Sequence, residues 1–561
     1  MNERIARLRA KNLTQQPEIC SERAQIVTRA YEKYKDLPPL LLRAKTFEAI
    51  MQEMTIWIAD DELIVGNQAK MAKGAPVYPE FSVDWIIKEL DSFSTRTSSR
   101  FLLSEENKTV LRELLPKWQG RTTKDRALSI IPEAAKEAMA SQAFLLSPLS
   151  SGLGYQKLID HGIDFLLDEI REKLEHCQPT AAEDVERKVF YEACQIVLQA
   201  MLHFAERFAV LAETQAARAE GQRKDELLEI ARVCRKVPRE RAETFHEALQ
   251  SFWFLHLCLQ IDSNGHSMSP GRFDQYTWRC YENDMQRGVS PEREEELLGC
   301  LWVKFAEISK LRDYMGSLAF GGYPMFQNLI VGGQNAEGVD VTNDLSFMCI
   351  TASLHVQLPQ PSLSIRVWNN SPHDLLIHAA TLTRTGVGLP AYYNDEVIIP
   401  SLMSRGLTLE DAREYNIIGG VEPQKAGKTE GWHDAAFFNM CRPLELVFSD
   451  GMDKGELVGV HTGDVTKFKT FDEFYDAYKK QMNYAISLLV NADNAIDVAH
   501  ATLCPLPFLS GMIEDCIGRG KSVQEGGAIY NFTGPQGFGI ANMADSLYAI
   551  KALVFDKKEV T

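Results

Sequence analysis

LIVGGQ (329–334), HVQLPQPSLSIRV (355–367), GLPAYYND (388–395) and EYNIIGGVEP (414–423) are short apolar runs, each bounded by glycine, proline or a polar turn. Between the second and third stands HDLLIHAATLTRTG (373–386), a stretch with helical patterning. Short apolar runs closed by turn residues read as buried strands, and the three-to-four spacing reads as a helix. Parallel strands need long crossover connections, so strand, loop and helix in alternation predict an α/β fold with a parallel sheet or barrel. Such a fold presents its functional loops at the carboxyl ends of the strands.

Toward the amino terminus the pattern changes. From Asp125 to about Arg239 the periodicity is helical, as in AAEDVERKVFYEACQIVLQAMLHFAERFAVLAETQAARAE (181–220). Pro238 precedes a further helix expected to begin near Glu243, where TFHEALQSFWFLHLCLQI (244–261) is apolar nearly all round and therefore predicted to be buried on several sides. Neither a fixed-period repeat nor a Pro/Ser linker divides the chain. The expectation is one large domain over 1–561, mainly helical over 1–300 and α/β over 301–561. Near the end, ADSLYAIKALVFDKKEVT (544–561) reads as a helix followed by a charged turn.

Composition narrows the function classes. Apolar residues make up 45% and charged residues 24%, the balance of an ordered globular protein. Sixty basic against seventy-seven acidic residues give a net charge of -17, which disfavours nucleic acid and anionic lipid as partners. The start has no apolar core of a signal peptide, and the most apolar stretch, 251–261, is too short to span a bilayer, so a cytoplasmic location is the default expectation. The eleven cysteines include no CxxC pair, and His176/Cys177 and His256/Cys258 lack further ligands in zinc spacing. No metal is expected, and the thiols read as buried structural groups.

Two loops concentrate chemistry. In DSNGHSMSPGRFDQY (262–276), Asn264, Gly265, His266 and Ser267 set an amide, a flexible backbone, an imidazole and a hydroxyl side by side, a set able to grip a polyhydroxylated molecule. The same residues would equally make a tight turn with a satisfied histidine. In IIGGVEPQKAGKTEGWHDAAFF (417–438), Gly419 and Gly420 allow close backbone approach, Pro423 stiffens the position of Glu422, and a polar excursion returns through His433 and Asp434. A carboxylate held at a strand end can serve as a general base or acid, and against this stands a solvated glycine-rich surface loop. Gly332 and Gly333, and the glycines of QEGGAIYNFTGPQGFGIANMADSL (524–547), fit neither a P-loop nor a dinucleotide fingerprint. Tight packing of turns explains them better.

DELIVGN (61–67), SPGRFDQY (269–276), QLPQPSLSIR (357–366), GVEPQ (420–424) and GGAIYNFTGPQGFGIANMADSL (526–547), taken in order, resemble the glycyl radical enzymes related to pyruvate formate-lyase. NGHS (264–267) and GKTEGWHDAAFFN (427–439) are most similar to the glycerol and 1,2-propanediol dehydratases within that family. The resemblance implies a ten-stranded α/β barrel surrounded by helices, incomplete here at the carboxyl terminus. It implies a lyase of anaerobic metabolism that eliminates water from a small diol to give an aldehyde. His266, Ser267 and Asp434 would hold the substrate hydroxyls, and Glu422 would be the base. No cofactor is bound in such enzymes. A separate activating enzyme, using S-adenosylmethionine and an iron–sulfur cluster, installs the glycyl radical, and relatives are commonly homodimers. The trans-4-hydroxyproline dehydratase and choline lyase branches are the alternatives for substrate.

Against the family pattern, three positions depart. Gly420 stands where GCxEP carries the thiyl cysteine, and Cys441 lies beyond the loop. Relatives carry a short insert with a histidine, the candidate acid for the leaving hydroxyl, between Gly154 and Tyr155, whereas His161 here is expected to belong to a helix. The chain as given reaches Thr561 without an RVxG motif, so the glycyl radical domain is expected to be absent. A radical-incompetent chain is predicted, and with it the further alternative of a catalytically silent relative that binds a polyol or pairs with active subunits.

Overall fold

The computed structural model describes residues 2–146, 150–152, 154–178 and 180–561, with backbone alone at 150–152 and 432–434. The chain divides into two compact units: one comprises 1–122, 150–431 and 503–531, the other 123–149, 432–502 and 532–561.

In the larger unit the helix Phe245–Asp262 is buried along its whole length, as its all-round apolar sequence requires. Thr244 and Glu247 close a capping box at its start, satisfying backbone donors that would otherwise be orphaned in the core. Its last residue, Asp262, accepts from Arg43, which shares Glu80 with Arg23, so a set of fully buried charges is internally paired. Chain leaving this helix turns directly into the strand His266–Ser269.

Three of the apolar runs form the expected parallel sheet. Asn328–Gly332 pairs with Ser362–Val367, which pairs with Ala391–Asn394, with Leu329 opposite Leu363 and Ile365 opposite Tyr392. The crossovers are the helices Asp344–Val356 and His373–Thr383. An isolated parallel bridge from Gly271 to Leu329 lays the chain after His266–Ser269 beside this sheet. At the sheet end, Gly332 and Gly333 both have positive φ, and a Cβ on Gly333 would lie 2.5 Å from Nε of Arg366. These glycines therefore make room for a buried guanidinium.

A carboxyl pair sits where the helix Pro291–Phe305 meets Trp278–Gln286. Asp284 accepts from the backbone N–H of Phe245 at 2.7 Å, while burial first and the neighbouring Asp284 charge second push Glu294 up to about 8. A carboxyl whose pKa is higher in the folded state binds its proton more tightly there, so its contribution is most favourable below the unfolded value near 4.5 and declines as pH rises toward 8. Glu294→Gln is expected to flatten the fall of the thermal midpoint between about pH 5 and 8.5, which unfolding followed by circular dichroism measures directly.

The smaller unit packs the helices Thr123–Ile130 and Glu133–Ala140 and the long helix Phe471–Leu503 around Ile131, Phe144, Phe438, Leu488 and Leu489. Strand Phe144–Leu146 pairs antiparallel with Ala436–Phe438. The glycine-rich 526–539 segment corrects the turn expectation in part: a strand, Tyr530–Phe538, runs through it. Tight turns remain at Gly526 and Gly539, where φ is positive. Within 544–561 the chain is helical to Asp556, with a π-helical stretch at Ile550–Asp556, and the charged residues that follow are outside the helix.

Candidate active site

EYNIIGGVEPQ folds as a hairpin, with Asn416–Ile418 antiparallel to Glu422–Gln424 and Glu422 opposite Ile418. Glu422 thus starts a strand and is not on a free loop. The turn is held from below: Gly419 donates its N–H to Oγ of Ser269 at 3.0 Å, and its carbonyl accepts from Nδ2 of Asn328 at 3.1 Å. Ser269 Oγ also accepts from the Asn328 backbone N–H at 3.2 Å, so one hydroxyl ties the NGHS segment, the sheet and the hairpin together.

Gly419 has φ +61°, a conformation that L side chains rarely adopt. A Cβ there would lie 2.8 Å from Oε2 of Glu422 and 3.0 Å from Oγ of Ser267. Carboxylate and hydroxyl, distant in sequence, therefore converge on one backbone position. Oε2 of Glu422 accepts from the N–H of Val421 at 3.0 Å, which fixes the carboxylate over the turn. Tyr393 donates its hydroxyl to the carbonyl of Gly420. Burial, then the Glu422 charge, raises the phenol's pKa, keeping it a proton-bearing donor. Gly420 itself is exposed, needs no positive φ, and a Cβ built on it meets nothing within 4 Å.

Ser267 is itself held at φ +63°, an uncommon geometry for serine, by its N–H bond to the Met325 carbonyl at 2.9 Å and by Ser269 Oγ donating to its own carbonyl at 2.9 Å. His266 is 8% exposed, and its Nε2 accepts from Nε of Arg312 at 3.1 Å. Burial, reinforced by the charges of Arg312 and Lys310, holds its pKa well below the ordinary histidine value, so the ring is neutral. Lys310 anchors the segment's entry by donating to the carbonyls of Gln260 at 2.6 Å and Ser263 at 2.9 Å and to the Tyr78 hydroxyl at 2.9 Å.

Of the other residues singled out by sequence, Asp434 lies on the strand Thr429–Asn439, and its side chain falls outside the described residues. Gly154 leads straight into the helix Tyr155–His161, of which His161 is the last residue. A Cβ on Gly154 would lie 2.5 Å from the Met512 carbonyl oxygen. Cys441 caps the helix Arg442–Phe448 and directs its thiol to the Gly539 carbonyl at 3.5 Å. Sequence reasoning missed Tyr393, Asn328, Ser269 and Arg312. Each acts through a backbone carbonyl or a neighbouring side chain, and nothing local to those positions signals that use.

Residues 1–561 match the pyruvate formate lyase-like family. The chain belongs to that family. A solved structure described for 1,2-propanediol dehydration in Roseburia inulinivorans is 50% identical with a TM-score of 0.98, covering 100% of this chain and 71% of that one. The glycerol-bound B12-independent glycerol dehydratase of Clostridium butyricum is 46% identical, also with a TM-score of 0.98, over 100% of this chain and 72% of that one. Among curated relatives, the (2S)-3-sulfopropanediol dehydratase of Klebsiella oxytoca is 36% identical over 99% of this chain and 69% of its own length. At that similarity the glycyl radical enzyme barrel of the pyruvate formate lyase-like family is the fold of this chain. Among the described residues, no helix is long and apolar enough to cross a membrane.

Proposed function

We propose that this chain is by descent a glycyl radical C–O lyase, binding a small vicinal diol such as glycerol or 1,2-propanediol at Glu422, Ser267 and His266. The observation that carries the reading is the convergence of Glu422 Oε2 and Ser267 Oγ on Gly419. A base and a neutral hydrogen-bonding hydroxyl at one point suit a substrate with two adjacent hydroxyls. In a relative whose thiyl takes the hydrogen atom from the substrate carbon, the carboxylate at the Glu422 position would take the proton of the hydroxyl on that radical carbon, the neighbouring hydroxyl would leave as water once an acid protonates it, and return of the hydrogen atom from the thiol would give the aldehyde. Ser267 and His266 orient the two oxygens, and Asp434 is assigned to the same task by resemblance. The relatives named for propanediol and glycerol are 50% and 46% identical, against 32% for the hydroxyproline dehydratase structure from Clostridioides difficile, which favours the diol.

Hydrogen abstraction needs a thiyl, and Gly420 offers no sulfur. The reading therefore extends to binding without turnover in this chain, and its natural context would include a homodimeric or paired active relative and the activating enzyme. Gly420 is also the specific observation behind the second reading, a silent polyol-binding relative.

Isothermal calorimetry separates these from no function at this site. Glycerol or 1,2-propanediol is expected to bind the chain, with Glu422→Gln and Ser267→Ala each weakening it about tenfold, the ordinary result of removing one partner from a buried hydrogen bond. Absence of binding heat for both diols would sink both readings.

A further inference from the structure

Arg312 engages one of the two ring nitrogens of His266. Nε2 accepts from Nε of Arg312 at 3.1 Å, and an arginine Nε–H can only donate. Nε2 must therefore present a lone pair, and a neutral ring with its lone pair on Nε2 carries its proton on Nδ1. Nδ1 is buried and has no hydrogen-bond partner among the described residues. Buried donors are rarely left unpaired, and one left unpaired beside Ser267, in a ring 8% exposed, points to a partner the protein does not itself supply.

Arg312 is built to hold this arrangement. Its Nη2 donates to the Pro324 carbonyl at 3.2 Å, its guanidinium lies 4.9 Å from the Phe320 ring centroid, and its own carbonyl accepts from Arg96 at 3.0 Å. The guanidinium is thus fixed in orientation before it meets the imidazole, and a planar fork with a fixed direction specifies a tautomer more firmly than a mobile ammonium.

We infer that Arg312 is a positioning residue that locks His266 in the Nδ1–H tautomer, so that toward a ligand His266 is a hydrogen-bond donor only. The subsite then takes an oxygen acceptor, such as a hydroxyl, carboxylate or sulfonate oxygen, and rejects an ammonium group. An ammonium group offers only donors or alkyl hydrogens and leaves Nδ1–H buried and unpaired, a penalty that discriminates strongly between otherwise similar ligands. The same polarity leaves the O–H of a bound hydroxyl free to donate onward to Glu422 or Ser267. His266 consequently serves as no acid in the elimination, and the proton that leaves with the water comes from elsewhere. The inference rests on the reading of His266 as a substrate contact.

Two measurements test it separately from that reading. Long-range ¹H–¹⁵N NMR on the histidine-labelled chain, with His266→Asn identifying the resonances, reports the tautomer without any ligand. The expected result at about pH 7 is a protonated, pyrrole-type Nδ1 and a pyridine-type Nε2, with Arg312→Gln moving the ring away from this state and Arg312→Lys retaining it in part. Calorimetry with glycerol, and with n-propylammonium, which has no oxygen acceptor, as the cationic comparison, is expected to give diol binding about tenfold weaker in Arg312→Gln and no heat with n-propylammonium.

An Nε2–H ring in the parent chain overturns the inference even if diols bind. So does an Arg312→Gln variant that melts like the parent and binds glycerol equally well. An Nδ1–H ring in a chain that binds no diol supports the positioning role and sinks the diol reading. The parent tautomer needs no variant at Arg312, so a failure of Arg312→Gln to fold still leaves a decisive result.

Discussion

Asp395→Ala is expected to cost the protein about 3–5 kcal/mol, the usual consequence of breaking a buried ion pair from one side. Arg366 and Asp395 are both fully buried, and the pair is bidentate, Nε to Oδ1 at 2.9 Å and Nη2 to Oδ2 at 2.8 Å. The remaining lone pairs of the carboxylate are taken by the Tyr415 hydroxyl at 2.8 Å and by Nε2 of Gln334 at 3.2 Å. Arg366 sits on the central strand of the parallel sheet, and its guanidinium lies 4.1 Å from the ring centroid of Tyr415, which immediately precedes the hairpin that carries Glu422. Removing the carboxylate leaves a guanidinium in the core with no counter-charge, beside glycines that leave no space to redirect it. The urea midpoint followed by circular dichroism should fall accordingly, and Asp395→Asn, which keeps part of the hydrogen bonding, should lie between. A joint Arg366→Met and Asp395→Leu change should recover much of the loss, because the desolvation cost disappears with the charges. A midpoint for Asp395→Ala within about 1 kcal/mol of the parent would mean that the pair is not holding the sheet.

How far such features can be read from sequence depends on whether their cause is local. LIVGG, SLSIRV and AYYN become parallel strands because their patterning is strong and turn residues bound them; HDLLIHAATLT becomes a helix for the same reason. TFHEALQSFWFLHLCLQI declares its buried helix through composition, and Pro238 ahead of it places the start near Glu243, two residues before the observed Phe245. The glycine-rich 526–539 segment misled because Gly534 and Gly537 lie in a long strand, where partner strands override local preference. At the site, His266, Ser267 and Glu422 could be picked out because polar residues beside glycines at strand ends are unusual. Their mutual arrangement could not: it depends on Ser269, Asn328 and Gly419 meeting through backbone hydrogen bonds, and on Arg312 reaching a ring 46 positions away in sequence.

Gly420→Cys should convert a binding protein into one able to enter radical chemistry, and the local geometry favours the substitution. Gly420 needs no left-handed backbone, and the space around its missing Cβ is open to 4 Å. Replacing a glycine where its freedom is not used stabilises slightly through the unfolded chain, so stability should hold or rise by up to about 1 kcal/mol. The new thiol should also be distinguishable. Nine of the eleven native cysteines are buried and two, Cys177 and Cys441, are half-buried, whereas position 420 is exposed, so one additional fast-labelling thiol should appear with iodoacetamide. In a form carrying the relatives' remaining length and activated anaerobically, Gly420→Cys is expected to give aldehyde from glycerol or 1,2-propanediol where the Gly420 parent gives none. Adding Glu422→Gln should then lower the rate by about 10²–10⁴, the usual contribution of a positioned base, while leaving the thiol reactive. That pairing separates the roles: the cysteine begins the reaction, and the carboxylate at Gly419 decides whether the hydroxyl leaves. A labelled, folded, diol-binding Gly420→Cys protein that gives no aldehyde after activation would show that the hairpin does not set its turn toward the bound diol.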